Sequence, residues 1–116
     1  MKKIKEKESE IQKSILEYLK LRGIFVWANK TQGTYDPVRK VFRRNTTIRG
    51  VSDILGIMPV KSIKHAGRFI ALEVKTSKGK TNPYQEQFLS KVIENGGIGE
   101  VVRSIEDVDK ILTNLL

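Results

Sequence analysis

The stretch GRFIALEVKTSKG, residues 67–79, decides the fold of this chain, because it reads as a buried central strand that ends in charge. Its apolar, partly β-branched run between two glycines is typical of a strand. Glu73 and Lys75 interrupt that run near its end. Side chains alternate between the two faces of a strand, so these two point the same way, with Cα atoms about 6–7 Å apart. The strand therefore indicates either an ion pair or a chemical site.

Composition bounds the class of protein. The chain has 116 residues, of which 39% are hydrophobic and 30% charged, and it contains no cysteine. These values predict one globular domain over 1–116 with no disulfide or thiolate metal site. No apolar run approaches the roughly 18–20 residues that span a bilayer. We expect residues 1–7 to form a flexible basic tail, and the chain to act in the cytoplasm without a membrane partner.

Positive charge is concentrated in the first half of the chain. The net charge is +9, and residues 1–50 alone carry 13 Lys and Arg against 5 Asp and Glu. Such asymmetry favours a polyanionic partner. We expect residues 31–49 to form a basic hairpin insertion, in which charge serves either to contact DNA phosphates or to prevent edge-to-edge strand pairing. The residues predicted to bind DNA are Lys30, Arg39, Lys40, Arg43, Arg44, Arg49, Lys78 and Lys80.

Periodicity predicts a mixed α/β domain with the order α-β-(β)-β-β-α-β-α. Helices are expected over 8–22, 83–95 and 104–116, and strands over 23–30, 52–60, 68–77 and 98–104. Asn82 and Pro83 form a strong helix start, and Ser104 with Asp107 predicts a capping box. Asp36-Pro37 marks a turn. We expect Trp27 in the core.

Asp53 opens one predicted strand, and Glu73 and Lys75 close the next. Adjacent strands can bring the two carboxylates within a few ångströms, where they repel unless one is protonated or a cation lies between them. Oxygen ligands facing a phosphate suit Mg²⁺ or Mn²⁺. A lysine beside them can orient an attacking water. Taken alone, the pattern is also typical of a structural ion pair.

Polar residues extend the buried stripes of two predicted helices. Glu8 and Gln12 lie on the face that continues to Ile15, and Gln85 leads the stripe of the second helix. A polar side chain in such a position either finds a buried partner or reaches solvent.

Four segments together closely resemble VRR-NUC domains of the PD-(D/E)XK nuclease superfamily, in particular the small stand-alone proteins that phages encode. They are ESEIQKSILEYL (8–19), RGVSDILGI (49–57), FIALEVKTSKGK (69–80) and NPYQEQFLSKVIENGG (82–97). The resemblance implies a restriction-endonuclease-like fold, similar to that of Holliday-junction resolvases. It also implies that Asp53, Glu73, Lys75 and Gln85 are catalytic. The implied metal ligands are Asp53, Glu73, the Val74 carbonyl and Glu8, with Glu10 as the rival to Glu8. Ser52 stands where the superfamily name has proline.

The function that follows from this resemblance is that of a Mg²⁺- or Mn²⁺-dependent DNA endonuclease, structure-specific for branched DNA such as Holliday junctions. Two coordinated cuts in a junction would require a homodimer, since one chain has a single site. Two alternatives stay open at this point. One is a nuclease that nicks or cuts linear duplex DNA, and the other is a basic DNA-binding accessory protein without catalysis.

Overall fold

The computed structural model describes residues 7–30, 34–43 and 48–115 of the chain. Residues 1–6 of the tail predicted over 1–7 lie outside the described residues, as do Arg44 and the side chain of Arg43. The elements are α1 (Glu8–Leu21), β1 (Phe25–Ala28), β2 (Thr34–Asp36), β3 (Val41–Arg43), β4 (Ile54–Pro59), β5 (Gly67–Val74), α2 (Pro83–Glu94), β6 (Ile98–Val102) and α3 (Ile105–Leu115).

A four-stranded sheet organises the domain. Its strand order is β1-β4-β5-β6, and β2 pairs only with β3 in a separate hairpin. The first two pairings, β1 with β4 and β4 with β5, are antiparallel, whereas β5 and β6 are parallel and joined through α2. This arrangement confirms the predicted mixed α/β class and places the strand of residues 67–74 in the interior of the sheet.

The two faces of the sheet are covered by different helices. On one face, Ile15 of α1 and Leu112 of α3 pack with Leu72 and Val74 in the main core. On the other face, Ala71 packs with α2 in a smaller cluster completed by Leu89 and Val92. Burying a side chain of the size of Val or Leu stabilises the fold by about 1.5–3 kcal/mol. The main core therefore carries most of the stability, and the α2 face is left with room for polar groups.

Local capping explains where two of the helices begin. The Asn82 side chain accepts a hydrogen bond from the Gln85 N–H, and the Gln85 side chain accepts one from the Asn82 N–H, which forms a capping box. Ser104 likewise accepts from the Asp107 N–H at 3.2 Å. The reciprocal bond expected of Asp107 goes instead to the Arg103 N–H at 2.9 Å. The acid thus caps the helix one residue earlier than the simple box predicts.

The hairpin of β2 and β3 turns where the sequence predicts. The Asp36 carboxylate accepts from the N–H groups of Val38 and Arg39 at 2.9 and 3.2 Å. Lys40 adopts a left-handed φ of 56°, and both Arg39 and Lys40 are exposed. The tip of this arm therefore presents cations to solvent.

The expected burial of Trp27 is wrong. Its side chain is 40% exposed and meets Phe25 edge-to-face with ring centroids 5.4 Å apart. The reason is that β1 is an edge strand. In register, Phe25 lies opposite Ile57, which lies opposite Phe69, and all three are exposed. This part of the sheet carries an apolar row with no covering helix among the described residues.

Among the residues that the structure describes, no helix is both long and apolar enough to cross a membrane.

A glycine turn brings the segment before β4 against α2, and its substitution gives a stability prediction. Gly50 has φ +75°, and an added Cβ would lie 2.6 Å from the Gln85 N and closer still to the Tyr84 carbonyl group. Gly23 has nearly the same φ, +78°, with nothing within 4 Å of an added Cβ. Both Gly→Ala changes should lower the free energy of unfolding by about 1–2 kcal/mol, because alanine is strained in the left-handed conformation. Gly50→Ala should lower it by about 1–3 kcal/mol more, because the added Cβ overpacks the contact with α2.

Urea unfolding of the two variants measures this difference, with Gly23→Ala as the matched control. Equal losses of unfolding free energy would show that the turn does not rest on α2.

Candidate active site

Three strand ends place polar residues in one row. Because Ile54 pairs with Leu72, the preceding Asp53 is opposite Glu73 in the register of β4 and β5. Ala28 pairs with Ile54, and the Asn29 N–H continues this ladder by donating to the Asp53 carbonyl at 2.8 Å. Residues opposite each other in antiparallel strands share a face. Asn29, Asp53 and Glu73 therefore form a row at one end of the sheet.

The backbone of β5 fixes the side chain of Asp53. Asp53 Oδ2 accepts a hydrogen bond from the Val74 N–H at 2.8 Å. The carboxylate thus takes the place of the backbone acceptor that β4 would have supplied had it continued. Such a bond to a charged acceptor contributes about 1.5–3 kcal/mol. The N–H and C=O of one strand residue point the same way, so the Val74 carbonyl is directed toward Asp53 as well.

Glu73 is the most deeply buried acid of the site. Its side chain is 2% exposed, and Oε1 accepts from Gln85 Nε2 at 2.7 Å and lies 3.6 Å from Lys75 Nζ. Lys75 is itself only 12% exposed. The second oxygen, Oε2, is buried without a hydrogen-bond partner. A buried acceptor left in this state is destabilising by about 1–3 kcal/mol, and more when charged, so one side of Glu73 is satisfied and the other is open to a ligand.

Gln85 is held at both ends of its amide. Its Oε1 accepts from the Asn82 N–H at 3.0 Å while Nε2 donates to Glu73. The capping box of α2 therefore orients the amide before it meets the carboxylate. Because the box also fixes the first turn of the helix, the position of Glu73 is tied to the helix start.

The environment raises the pKa of Glu73 to about 8. Burial is the largest cause, and the negative charge of Asp53 adds to it, whereas Lys75 opposes both. Protonation would allow Glu73 to donate to Asp53 and relieve the repulsion. A cation between the two carboxylates would do the same and would restore the ionised form.

The donor set fits a hard divalent cation held by few protein groups. The residues available are Asp53, the partnerless Oε2 of Glu73 and the Val74 carbonyl, all of them oxygen donors. In the described ranges no three His, Cys, Asp or Glu side chains are grouped so as to hold a metal. Mg²⁺ commonly binds through one or two carboxylates and keeps several waters, so two carboxylates suffice for it.

Among the described residues, the structure gives no contact between the acids of α1 that were predicted as metal ligands and the carboxylates of the site. Glu8 and Glu10 are exposed, and Gln12 is half-buried. Glu10 lines a shallow surface pocket together with Arg103 and Glu106. Neither glutamate joins Asp53 and Glu73 in a group of three acids within the described chain. The assignment of Glu8 as a metal ligand, with Glu10 as its rival, stays a prediction.

The predicted DNA-contacting residues whose side chains are described lie on exposed turns and loops, outside the row of Asn29, Asp53 and Glu73. The exposed ones are Lys30, Arg39, Lys40, Arg49, Lys78 and Lys80. Lys30 follows Asn29 directly, and Lys78 and Lys80 lie in the loop after β5. Arg49 Nη1 donates to the Tyr84 hydroxyl at 2.7 Å, which ties this cation to the helix that carries Gln85.

Two residues at the site were not predicted from the sequence. Asn29 belongs to the row of Asp53, and its Nδ2 is buried without a partner. Arg103 Nη1 donates to the carbonyls of Thr76 and Gly79 at 2.6 and 2.7 Å, which holds the loop after Lys75. The signal for Asn29 was present, since it is the first polar residue after an apolar strand. No local pattern distinguishes Arg103 from other basic residues.

The raised pKa of Glu73 predicts how stability depends on pH without divalent metal. Between the ordinary value of 4.5 and about 8, the folded protein binds more protons than the unfolded chain. The stability that protonated Glu73 contributes is present below pH 4.5 and is lost as pH rises toward 8. The free energy of unfolding should fall with a slope of up to about 1.4 kcal/mol per pH unit.

Chemical unfolding in EDTA at pH 5, 6, 7 and 8 measures this slope. Glu73→Gln should flatten it, whereas Glu100→Gln, at an exposed position of β6, should retain it. Identical slopes in wild type and Glu73→Gln would contradict the assignment.

Comparison with known proteins agrees with the resemblance drawn from the sequence. A solved structure described as a VRR_NUC domain matches this chain with probability 1.00 and a TM-score of 0.61. The match covers 94% of this chain and 97% of the other at 23% sequence identity. Neither a protein-family model nor a curated protein sequence matches the chain. At this identity the likeness shows the fold alone, and the chain accordingly has the fold of a VRR_NUC domain.

Proposed function

We propose that this protein is a metal-dependent DNA endonuclease that hydrolyses phosphodiester bonds, with branched DNA as its substrate. One observation carries the proposal. Glu73 is buried beside a second carboxylate, with one oxygen held by Gln85 and Lys75 and the other without a partner. A structural ion pair would gain nothing from the open oxygen or from the repulsion by Asp53. A site that receives a cation and a phosphate uses both features.

Asp53, Glu73 and the Val74 carbonyl would hold a Mg²⁺ or Mn²⁺ ion, with Glu8 at the start of α1 as a further ligand. When bound, such an ion offsets the developing negative charge on the phosphoryl oxygens and makes a water ligand more acidic. The similar solved structure is a VRR_NUC domain, which supports the same assignment.

Lys75 acts on the water and the phosphate. Its protonated Nζ, held near Glu73 at 3.6 Å, orients the attacking water and stabilises charge that grows on a phosphoryl oxygen. The water oxygen forms a bond to phosphorus as the bond from phosphorus to the 3′ oxygen breaks. The proton of the water passes to solvent, and the departing 3′ oxygen takes a proton. The products are a 3′ hydroxyl and a 5′ phosphate.

Gln85 and the Val74 N–H position the two carboxylates. Each bonds one acid, at 2.7 and 2.8 Å respectively, so neither carboxylate has to be ordered when substrate arrives. Preorganised groups of this kind act at little reorganisation cost. Gln85 touches Glu73 rather than the reacting atoms in this arrangement, so we assign it a positioning role.

The substrate is DNA on the grounds of charge. A net charge of +9 and exposed cations on turns and loops favour a phosphate backbone as the partner,. Contacts to phosphate give affinity without reading base sequence, which suits a nuclease that recognises the shape of a branch.

Cutting both strands of a junction calls for two sites related by symmetry. The exposed row of Phe25, Ile57 and Phe69 supports a homodimer, because large apolar side chains aligned across three strands mark an interaction surface,. Through that surface two chains would place two sites in one assembly.

The mechanism predicts separate effects on cleavage and binding. With Mg²⁺, Glu73→Ala and Lys75→Ala should each slow cleavage by at least about 10²-fold, the loss seen when one charge-stabilising group is removed. DNA affinity measured in EDTA should stay within about twofold for Glu73→Ala, since it removes no phosphate contact. The controls are Glu100→Ala on β6 and Lys110→Ala on α3, which change exposed residues of the same types.

Calorimetric titration with Mn²⁺ separates this function from that of a non-catalytic accessory protein. Wild type should bind Mn²⁺ and Glu73→Ala should not. Full cleavage activity in either Glu73→Ala or Lys75→Ala would contradict the mechanism, and a wild-type protein that bound DNA without Mn²⁺ binding or cleavage would be the accessory protein.

The homodimer gives a prediction of its own. Wild type should have the mass of a dimer at micromolar concentration, and Ile57→Glu should shift it to monomer because a charge enters the apolar row. Ile63→Glu, also at an exposed isoleucine but in the loop between β4 and β5, is the control. Light scattering after gel filtration provides the masses. A monomeric wild type would count against junction cleavage.

Labelled junction, flap, fork and linear duplex substrates, compared with Mg²⁺ and Mn²⁺, then distinguish branched DNA from linear duplex as the substrate. Faster cleavage of linear duplex than of any branched substrate would favour the duplex nuclease.

A further inference from the structure

A contact between Arg49 and Tyr84 links an exposed cation to the helix that carries Gln85. Arg49 Nη1 donates to the Tyr84 hydroxyl at 2.7 Å, and the guanidinium carbon lies 4.8 Å from the centroid of the Tyr84 ring. Both side chains are exposed. A long arginine side chain in solvent samples many rotamers, and two contacts to one aromatic residue restrict it.

The backbone reinforces this placement. Arg49 precedes Gly50, whose close approach to Tyr84 and Gln85 leaves no space for a Cβ. Tyr84 in turn precedes Gln85, which donates to Glu73. The cation is therefore attached to the same helical turn that positions the buried carboxylate.

The chain contains another arginine–tyrosine pair that serves as an internal comparison. Arg22 Nη1 donates to the Tyr18 hydroxyl at 2.6 Å, but it also forms an ion pair with Asp109 at 3.1 Å. The carboxylate neutralises that arginine and joins α1 to α3. Arg49 has no carboxylate within 4.0 Å among the described residues. One pair is balanced by an acid, and the other leaves a positive charge available.

We propose that Arg49 and Tyr84 form a phosphate-binding subsite for a DNA phosphate next to the scissile one, with Tyr84 as the residue that positions Arg49. The proposal rests on the nuclease function proposed above and names how its substrate is held.

The unused donors of the pair suit a phosphate. With Nη1 occupied by Tyr84, the guanidinium keeps Nε and Nη2 to donate to one or two phosphate oxygens. An ammonium could supply the charge but neither the planar fork nor the stacking.

Fluorescence anisotropy in EDTA tests the subsite without cleavage. The probes are a labelled four-way junction and a labelled linear duplex. Arg49→Ala should weaken binding about tenfold near 0.1 M salt and lower the slope of log affinity against log salt by about 0.9, the value for one phosphate contact. Tyr84→Phe keeps the ring and removes the hydroxyl, and it should weaken binding about threefold, within the range for one hydrogen bond.

A double-mutant cycle separates positioning from a structural effect. In the Arg49→Ala background, Tyr84→Phe should lose most of its effect, because Tyr84 acts mainly through Arg49. In cleavage assays Tyr84→Phe should raise KM and leave kcat within about twofold, since it removes binding common to ground and transition states. Arg22→Ala and Tyr18→Phe, from the acid-balanced pair, should leave the dissociation constant within about twofold because no phosphate contact is lost.

Two results would overturn the subsite. One is an Arg49→Ala affinity within twofold of wild type, and the other is a Tyr84→Phe effect of full size in the Arg49→Ala background. Thermal melts of Tyr84→Phe equal to wild type would confirm that the fold is intact. If the cycle holds in EDTA while wild type fails to cleave any DNA, the nuclease function fails and the phosphate subsite stands.

Discussion

The site depends on the burial of one carboxylate at the end of a central strand. Glu73 is 2% exposed on β5, a strand whose neighbours on both sides supply hydrogen bonds and whose faces are covered by helices. Removing an ionised carboxylate from water is destabilising by several kcal/mol unless its oxygens are bonded. Gln85 and Lys75 satisfy one oxygen, and the other has no partner. The remaining instability is the feature that a cation can relieve.

The two faces of the sheet explain how the fold tolerates this arrangement. The face toward α1 and α3 is apolar along its whole length, from Ile70 to Val74, and it holds the main core. The face toward α2 has a smaller cluster and ends in the polar row of Asn29, Asp53 and Glu73. Because stability comes chiefly from the first face, the second can carry groups that are unfavourable for folding. Functional sites often violate local rules of stability in this way.

Much of this arrangement could be predicted from the sequence because it depends on patterns among residues that are close together in the chain. Strand alternation places Glu73 and Lys75 on one face, and the start signals of α2 place Gln85 in its first turn. The order of helices and strands is also local. It was predicted with boundaries that differ by up to three residues outside the basic hairpin, where the predicted order has one strand and the structure has two, β2 and β3. Strand 68–77 was predicted too long at its end, since pairing with β4 stops where the Asp53 side chain replaces a backbone acceptor.

The features that were missed depend on contacts between distant segments. The position of Asn29 follows from the register of β1 and β4, and that of Arg49 from the contact between Gly50 and α2. Trp27 was expected in the core because tryptophan is large and mainly apolar. Its burial depends instead on whether a helix covers the edge strand that carries it. The place of Glu8 relative to the two acids depends on how α1 is rotated, and periodicity does not fix that rotation to within one residue.

Charge separation within the domain explains why the exposed basic residues lie on turns and loops instead of among the carboxylates of the site. The negative charge of Asp53 would repel a phosphate if no cation were near, and Lys75 lies 3.6 Å from Glu73. Further cations placed among the carboxylates would pair with them and lose their charge toward DNA, as Arg22 does with Asp109. In the proposed function, arginine and lysine on exposed turns keep their charge and reach a phosphate backbone with long side chains. The contact of Arg49 with Tyr84 fixes the position of the cation and preserves its charge, because a neutral hydroxyl and an aromatic ring restrict the side chain without neutralising it.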